Sequence, residues 1–190
     1  MTLPGMVNFS LVGGTALSLL FGHRKSVDLD LFSGQPFEIQ EIINALERSF
    51  GNSFLKRTSN PQVGVFCIIN GVKTDLIKHP FPLIRPTTEI EGIRMFSTED
   101  IIAMKVQAVL GRARKKDFWD IAELLNHFSV SDFIQFHKEK YATQNLLVTV
   151  PQAISYFADA EDDVDPVSLK GQNWDNVKAL ISKKVSEFLT

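Results

Sequence analysis

Two acidic residues, Asp28 and Asp30, lie two positions apart in the otherwise apolar run 27–32. Side chains of a β-strand alternate between its two faces, so we expect both carboxylates on one face and the apolar side chains on the other. Carboxylates about 4 Å apart repel each other by roughly 4 kcal/mol at an effective dielectric constant of about 20. The repulsion disfavours this strand unless a cation lies between the acids or one of them keeps its proton. Oxygen ligands of this kind suit Mg²⁺ or Mn²⁺.

A glycine pair precedes the acidic run. Gly13 and Gly14 are followed by Thr15 and by a short helical stretch that ends near Phe21. Glycines let the backbone approach a phosphate closely, and the N–H groups at the start of a helix bind phosphate oxygens. The hydroxyl of Thr15 adds a further donor. Taken singly, Asp-x-Asp also fits a solvated edge strand and the glycines fit a tight turn, but their combination is much rarer.

A third carboxylate comes from the strand-like run 72–78, in which Asp75 shares a face with Lys73. If this strand neighbours the acidic strand, Asp75 converges with Asp28 and Asp30. Three carboxylates that hold one or two divalent cations carry out phosphoryl or nucleotidyl transfer, because the cation neutralises charge on a triphosphate. On its own, Asp75 also fits an ordinary acid at the edge of a hairpin.

The first half of the chain predicts a mixed sheet with flanking helices. Apolar periodicity indicates strands at 7–12, 27–32, 54–57, 63–69 and 72–78, and helices at 15–21 and 37–50. Asn70-Gly71 is a strong signal for a hairpin between the last two strands. Three prolines between residues 80 and 86 then interrupt regular structure. We therefore predict a first lobe that covers residues 1–96.

The second half predicts a helical lobe over residues 97–190. The run Ser97-Thr98-Glu99-Asp100 is a helix-start pattern. Further helices are expected at 116–127, 130–140, 144–158 and 174–189. The acidic stretch 159–165 is expected to be a solvated linker between helices.

Three polar residues of this lobe are candidates for the site. Lys105 lies among apolar helix positions, where a lysine either extends to the surface or reaches a phosphate. Asp117 and Asp120 are three residues apart and share one helix face. Asp117 also has a simpler interpretation, because a negative charge stabilises the N-terminus of a helix.

The composition restricts the classes of protein. The 190 residues carry a net charge of −2, without the basic excess of a dedicated nucleic-acid-binding protein. The basic stretch 112–116 fits either a local patch or a solvated turn. The single cysteine, Cys67, excludes an internal disulfide and fits a buried apolar position. No signal peptide and no membrane-spanning run is evident, so we expect a cytoplasmic protein.

In combination, these motifs resemble the AbiEii/AbiGii-type toxin family of the DNA polymerase β-like nucleotidyltransferase superfamily. The resemblance covers about residues 8–128 and rests on the segments 13–17, 23–32, 73–75 and 105–121. It implies an α+β fold. In that fold an N-terminal polymerase β-like nucleotidyltransferase lobe, a mixed sheet flanked by helices, precedes a C-terminal helical lobe that completes the active-site cleft.

The resemblance also implies roles for individual residues. It implies that the metal ligands are Asp28, Asp30 and Asp75. It places Gly13, Gly14 and Ser26 near the phosphates, and we include Thr15 and Arg24 of the same motif among the nucleotide-binding residues. It implies that Lys105 contacts the nucleotide. Either Asp117 or Asp120 matches the late aspartate of the family, and both stay candidates for a catalytic role.

We therefore predict a metal-dependent enzyme that transfers a nucleoside monophosphate from an NTP to an acceptor hydroxyl. The resemblance implies the toxin of a toxin–antitoxin or abortive-infection system that acts on RNA such as tRNA, with a cognate antitoxin protein as partner. Two alternatives stay open. The first is transfer to a small molecule such as an aminoglycoside, and the second is a catalytically silent module that binds nucleotide.

Overall fold

The structure, a computed structural model, describes Leu3 and residues 5–190. The strands are β1 (Ser10–Val12), β2 (Leu29–Ser33), β3 (Phe54–Asn60), β4 (Gly64–Ile69), β5 (Val72–Lys78), β6 (Thr88–Ile90) and β7 (Ile93–Met95). The α-helices are α1 (Gly13–Phe21), α2 (Ile39–Phe50), α3 (Thr98–Gly111), α4 (Lys115–Leu124), α5 (Val130–Lys140), α6 (Val150–Ile154) and α7 (Trp174–Leu189). The mixed sheet and the segregated helices confirm the predicted α+β class.

The described residues form two compact units. The first comprises the described residues up to Ala16 together with Val27–Ser97, and it contains the whole sheet and α2. The second comprises Leu17–Ser26 and Thr98–Thr190, and it contains α3 to α7. The division after Ser97 lies close to the expected boundary at 96, but sequence patterns did not indicate that Leu17–Ser26 would join the helical unit. That each lobe is a domain in its own right stays a prediction.

The sheet has the strand order β3-β4-β5-β2-β1-β7-β6. One row of paired residues crosses four of its strands and consists of Leu11, Leu31, Leu76 and Val65. All four side chains are buried, and burying a leucine contributes about 2 kcal/mol relative to leaving it exposed. Cys67 is fully buried on β4, as expected. This apolar row sets the register, because a slip of one residue would turn every side chain to the other face.

The helical unit has its own aromatic core. Phe118 and Trp119 of α4 are fully buried and pack against Trp174 at the start of α7, with ring centroids 5.7 and 5.8 Å away. The start of α5 follows from its sequence, since Ser129 and Asp132 form a reciprocal capping box. The contacts with Trp174 pack one side of α4, and the two aspartates of this helix, Asp117 and Asp120, are also fully buried.

Several expected elements differ from the structure. The helix expected over 144–158 is wrong except for the short α6, which a Thr149 capping box starts and which ends at Ser155. β6 and β7 were not expected, because each has only three residues and their turn depends on positive φ angles at Glu91 and Gly92. The first expected strand begins at Ser10 rather than Val7. The expected helix 15–21 already begins at Gly13.

Candidate active site

The row next to the buried apolar row carries two of the predicted acids. Asp30 is paired with Val12 of β1 on one side and with Asp75 of β5 on the other, and Asp75 is also paired with Phe66 of β4. Paired residues project from the same face and neighbouring rows alternate, so both carboxylates leave the sheet on the face opposite the buried leucines. Asp28 lies two residues before Asp30, just ahead of β2, and is half-buried. The expectation that the two acidic strands are neighbours is confirmed.

Only one of the two carboxylate oxygens of Asp75 has a partner among the described residues. Its Oδ2 lies 2.9 Å from Lys73 Nζ, whereas its Oδ1 is buried and has no hydrogen-bond partner among the described residues. The hydrogen bond donated to Asp75 raises the pKa of Lys73, burial opposes this, and the charges of Asp75, Asp30 and Asp28 raise it further. The ammonium group therefore lies in the field of all three acids. Spacing alone placed Lys73 beside Asp75, but it did not indicate this ion pair.

The glycine pair lies close to the acidic strand, at the start of α1. Gly13 is the first residue of α1 and has a φ of +70°, a conformation that favours glycine. A Cβ atom at this position would lie 3.1 Å from Asp30 Oδ2. The Thr15 hydroxyl, which we predicted as a nucleotide ligand, donates to the backbone carbonyl of Asp28. Gly14 follows as the second residue of α1 and is half-buried. The start of α1 thus orders the acidic segment, and nucleotide binding by these residues stays a prediction.

We call Asp28, Asp30 and Asp75 together the acid row. The acid row is compatible with a divalent cation but does not surround one completely. In the part of the chain that the structure describes, no three His, Cys, Asp or Glu side chains are gathered so that they could hold a metal ion. Mg²⁺ is usually bound by only one or two carboxylates, together with waters and substrate phosphates. Asp30 and Asp75 supply two carboxylates on one face, and Asp75 Oδ1 lacks a partner among the described residues. The residues therefore fit Mg²⁺ or Mn²⁺, and the role of Asp28, Asp30 and Asp75 as ligands stays a prediction.

Asp120 is the centre of a buried ion network in the helical unit. It lies on α4, is fully buried, and accepts hydrogen bonds from Arg24 Nε at 2.7 Å and Nη2 at 2.9 Å. His23 Nε2 and Lys105 Nζ contact it at 2.7 and 2.6 Å. Burial works to raise the pKa of Asp120, but Lys105, His23 and Arg24 outweigh it and hold the pKa well below its usual range. Both oxygens of Asp120 are thus fully engaged.

Asp117 differs from Asp120 in how its charge is balanced. Lys105 Nζ donates to Asp117 Oδ1 at 2.7 Å, while Asp117 Oδ2 is buried without a hydrogen-bond partner and lies 4.0 Å from Arg112 Nε. Burial works to lower the pKa of Lys105, but the charges of Asp120 and Asp117 more than offset it, so the pKa is raised. Lys105 is therefore a charged ammonium group held between two carboxylates. Its predicted contact with the nucleotide stays a prediction.

Two further predicted residues come from the segment before β2. Arg24 belongs to the buried network, and its guanidinium is directed at Asp120 rather than at the surface. Ser26 is half-buried. The nucleotide-binding roles of both residues stay predictions. His23 was not singled out from the sequence, because its partner is 97 positions away and no spacing pattern connects them.

The acidic stretch 159–165 connects α6 to α7 and is mostly exposed, as expected of a solvated linker, but it is also tied to the start of α4. Asp163 accepts hydrogen bonds from Arg114 Nε at 2.6 Å and from the Lys115 backbone N–H at 3.1 Å, and Asp165 accepts from Lys115 Nζ at 2.9 Å. These contacts fasten the stretch to the start of α4. They also pair two of the four cations in the basic stretch 112–116, which favours the solvated-turn interpretation over a free basic patch.

Comparison with solved structures gives the fold. A putative nucleotidyltransferase from H. pylori matches 95% of this chain and 85% of its own, with a TM-score of 0.60 and 19% identity. MenT4, a nucleotidyltransferase toxin from Mycobacterium tuberculosis H37Rv, matches 94% of this chain and 74% of its own, with a TM-score of 0.60 and 13% identity. Among the helices of the described residues, none is long and apolar enough to cross a membrane.

Comparison of sequences gives the family. An uncharacterized protein of Aquifex aeolicus (strain VF5) is 27% identical over 192 residues, which cover 96% of this chain and 88% of the relative. The family model described as nucleotidyl transferase AbiEii toxin, type IV toxin–antitoxin system, matches residues 4–180. That match includes both the acid row and the buried ion network. The predicted resemblance is confirmed, and the chain belongs to the AbiEii family of nucleotidyltransferase toxins.

Proposed function

We propose that this nucleotidyltransferase moves a nucleoside monophosphate from an NTP to a hydroxyl group of RNA, with Mg²⁺ or Mn²⁺ bound at the acid row. One observation carries the proposal. Asp30 and Asp75 are paired on neighbouring strands, so two carboxylates share one face of the sheet. Their repulsion costs stability, so a function that uses the combined negative charge accounts for the arrangement.

The residues of the acid row have distinct tasks in this proposal. Asp30 and Asp75 are the main ligands, and Asp28 is the third acid, kept in place by the bond from Thr15 to its carbonyl group. A bound Mg²⁺ or Mn²⁺ supplies neutralisation of triphosphate charge and activation of the attacking oxygen. The N–H groups at the start of α1 donate to phosphate oxygens, where the helix dipole favours negative charge. Positioning and electrostatics are the main contributions of the protein to this class of reaction.

In the helical unit we assign different roles to the two aspartates. Asp120 is a structural acid, because the side chains of Arg24, His23 and Lys105 contact its carboxylate and leave neither oxygen for a substrate. Asp117 is the acid that acts in the reaction, together with Lys105, because one of its oxygens has no hydrogen-bond partner in the described residues. Of the two candidates, we therefore propose Asp117 as the catalytic acid.

Membership of the family supports the proposed acceptor and the proposed partner. A nucleotidyltransferase toxin harms its host by modifying a molecule that the host needs, and RNA offers a terminal hydroxyl group as the nucleophile. The toxin of a type IV system is paired with an antitoxin, so we propose a cognate antitoxin protein as the partner. A small acceptor such as an aminoglycoside is the second candidate, since the net charge of −2 and the pairing of Arg114 and Lys115 with acids do not favour a long polyanion.

Radiolabelled transfer tests the proposal. The purified protein is incubated with each α-³²P-labelled NTP, Mg²⁺ or Mn²⁺, and either total RNA or a panel of aminoglycosides. We expect label in RNA, and we expect Asp30→Asn and Asp75→Asn to abolish it. Asp175→Asn is the matched control, because Asp175 is 89% exposed. Label in the aminoglycosides alone would mean that the acceptor is a small molecule and not RNA. Unchanged transfer by Asp30→Asn would refute the assigned site.

A stability measurement separates loss of function from loss of folding. Asp30→Asn keeps the shape of the side chain and removes one of two neighbouring carboxylates, so its free energy of unfolding is expected to stay close to that of the wild type. Urea unfolding measures this directly. An inactive Asp30→Asn protein with full stability supports the assignment, while a strongly destabilised one would mean that Asp30 serves the fold.

A further inference from the structure

Lys73 lies where the acid row attracts a cation. Its Nζ is 2.9 Å from Asp75 Oδ2, and the two residues are two positions apart on β5, so both side chains leave the same face. The attraction comes mainly from Asp75, with smaller contributions from Asp30 and Asp28. The Lys73 side chain is 41% exposed and that of Asp75 only 12%. The ammonium group can therefore move into solvent, whereas the Asp75 carboxylate stays in place.

We propose that Lys73 is the exchangeable counter-cation of the acid row: its ammonium group binds Asp75 while no divalent cation is present and releases that carboxylate when one binds. The inference rests on the proposed function, because it takes Asp30 and Asp75 as ligands of a divalent cation. It goes further by giving a defined role to a residue that is itself no metal ligand.

Electrostatics gives the exchange a direction. Without any cation, the carboxylates of Asp28, Asp30 and Asp75 repel one another, and Lys73 offsets part of this repulsion. Binding of a free divalent cation must break the Lys73–Asp75 pair, so Lys73 lowers the affinity of the acid row for the free cation. A cation that arrives with an NTP brings phosphate oxygens, to which the released ammonium group can turn. Lys73 thus couples cation binding to nucleotide binding.

Titration with Mn²⁺ in the absence of nucleotide tests this role. The electron paramagnetic resonance signal of free Mn²⁺ reports binding to the full chain. Lys73→Met is expected to bind Mn²⁺ about fivefold more tightly than the wild type, the size expected when a partly exposed ion pair no longer competes. Lys73→Arg keeps the charge and is expected to keep the wild-type affinity. Lys73→Gln repeats the test with a polar side chain in case the methionine variant aggregates.

Two controls keep the outcomes distinct. Lys56→Met removes one positive charge from an exposed position of β3 and is expected to leave Mn²⁺ affinity unchanged. If Lys73→Met and Lys73→Gln bind Mn²⁺ no more tightly than the wild type, the inference is overturned. Asp75→Asn then shows whether the proposed metal site survives, since weaker Mn²⁺ binding by this variant would uphold the site without the exchange. Binding that Asp75→Asn leaves unchanged overturns the site and the inference together.

Discussion

Gly13→Ala separates the demands of the fold from those of the acid row. The native φ at Gly13 is +70°, and an alanine Cβ would lie 3.1 Å from Asp30 Oδ2. Forcing alanine into this left-handed region costs about 1 kcal/mol. The close contact adds little to that cost, because the end of the Asp30 side chain can rotate away. We therefore expect a small loss of stability and a displaced Asp30 carboxylate.

Gly92→Ala is the matched control for backbone strain. Gly92 has a φ of +76° in the β6–β7 turn of the same unit, and an added Cβ meets no atom of the described residues within 4 Å. Both substitutions are expected to lower the free energy of unfolding by about 1 kcal/mol, which corresponds to about 2–4 °C in Tm for a chain of this size. The strain is the same in kind, so any further difference between the two variants reports the contact with Asp30.

Nucleotide transfer is expected to distinguish the two variants. Misplacing a reacting group by about 1 Å costs roughly a hundredfold in rate, and the carboxylate must move by a few tenths of an ångström, so we expect Gly13→Ala to lose about tenfold. Gly92→Ala is expected to keep wild-type activity. Urea unfolding and labelled-NTP transfer are measured on the same preparations. Full activity of Gly13→Ala, or an equal loss in Gly92→Ala, would refute the argument that Gly13 is required by Asp30.

Three other predictions concern the buried charges of the helical unit. Asp120→Asn is expected to cost about 3–5 kcal/mol in urea unfolding, because it leaves buried cations uncompensated, and Asp117→Asn is expected to cost less while abolishing transfer. The pKa of Asp120 is held below its ordinary value of 3.8. The contribution of Asp120 to the free energy of unfolding is therefore fully present above that pH and is lost as the pH falls further. Unfolding measured between pH 6 and pH 2 will show this loss. Lys140→Met is expected to cost about 3–5 kcal/mol because Lys140 and Asp100 are fully buried partners at 2.6 Å, and combining it with Asp100→Leu should recover most of the loss. The first argument is contradicted if Asp117→Asn and Asp120→Asn are equally stable, and the second if acid does not destabilise the protein. The third is contradicted if the double variant is less stable than Lys140→Met alone.

Local patterns accounted for much of the first unit. The apolar alternation indicated a strand that carries Asp30, although the strand begins at Leu29 and leaves Asp28 just ahead of it, and the hairpin signal at Asn70-Gly71 correctly joined β4 to β5. These succeed because strand periodicity and turn geometry depend on residues a few positions apart. The same reasoning failed at β6, β7 and 144–149, where the elements are short and depend on neighbours distant in sequence.

What the sequence by itself determined is therefore the chemistry available on each face: carboxylates alternating with apolar residues, a glycine pair ahead of them, and a lysine and two aspartates in a helical half. Only the tertiary structure decided the partners. It paired Asp30 with Asp75 through sheet register, and it joined Asp120 to His23 and Arg24 across nearly a hundred positions. No local pattern encodes such contacts, because they form when burial forces distant charges to compensate one another.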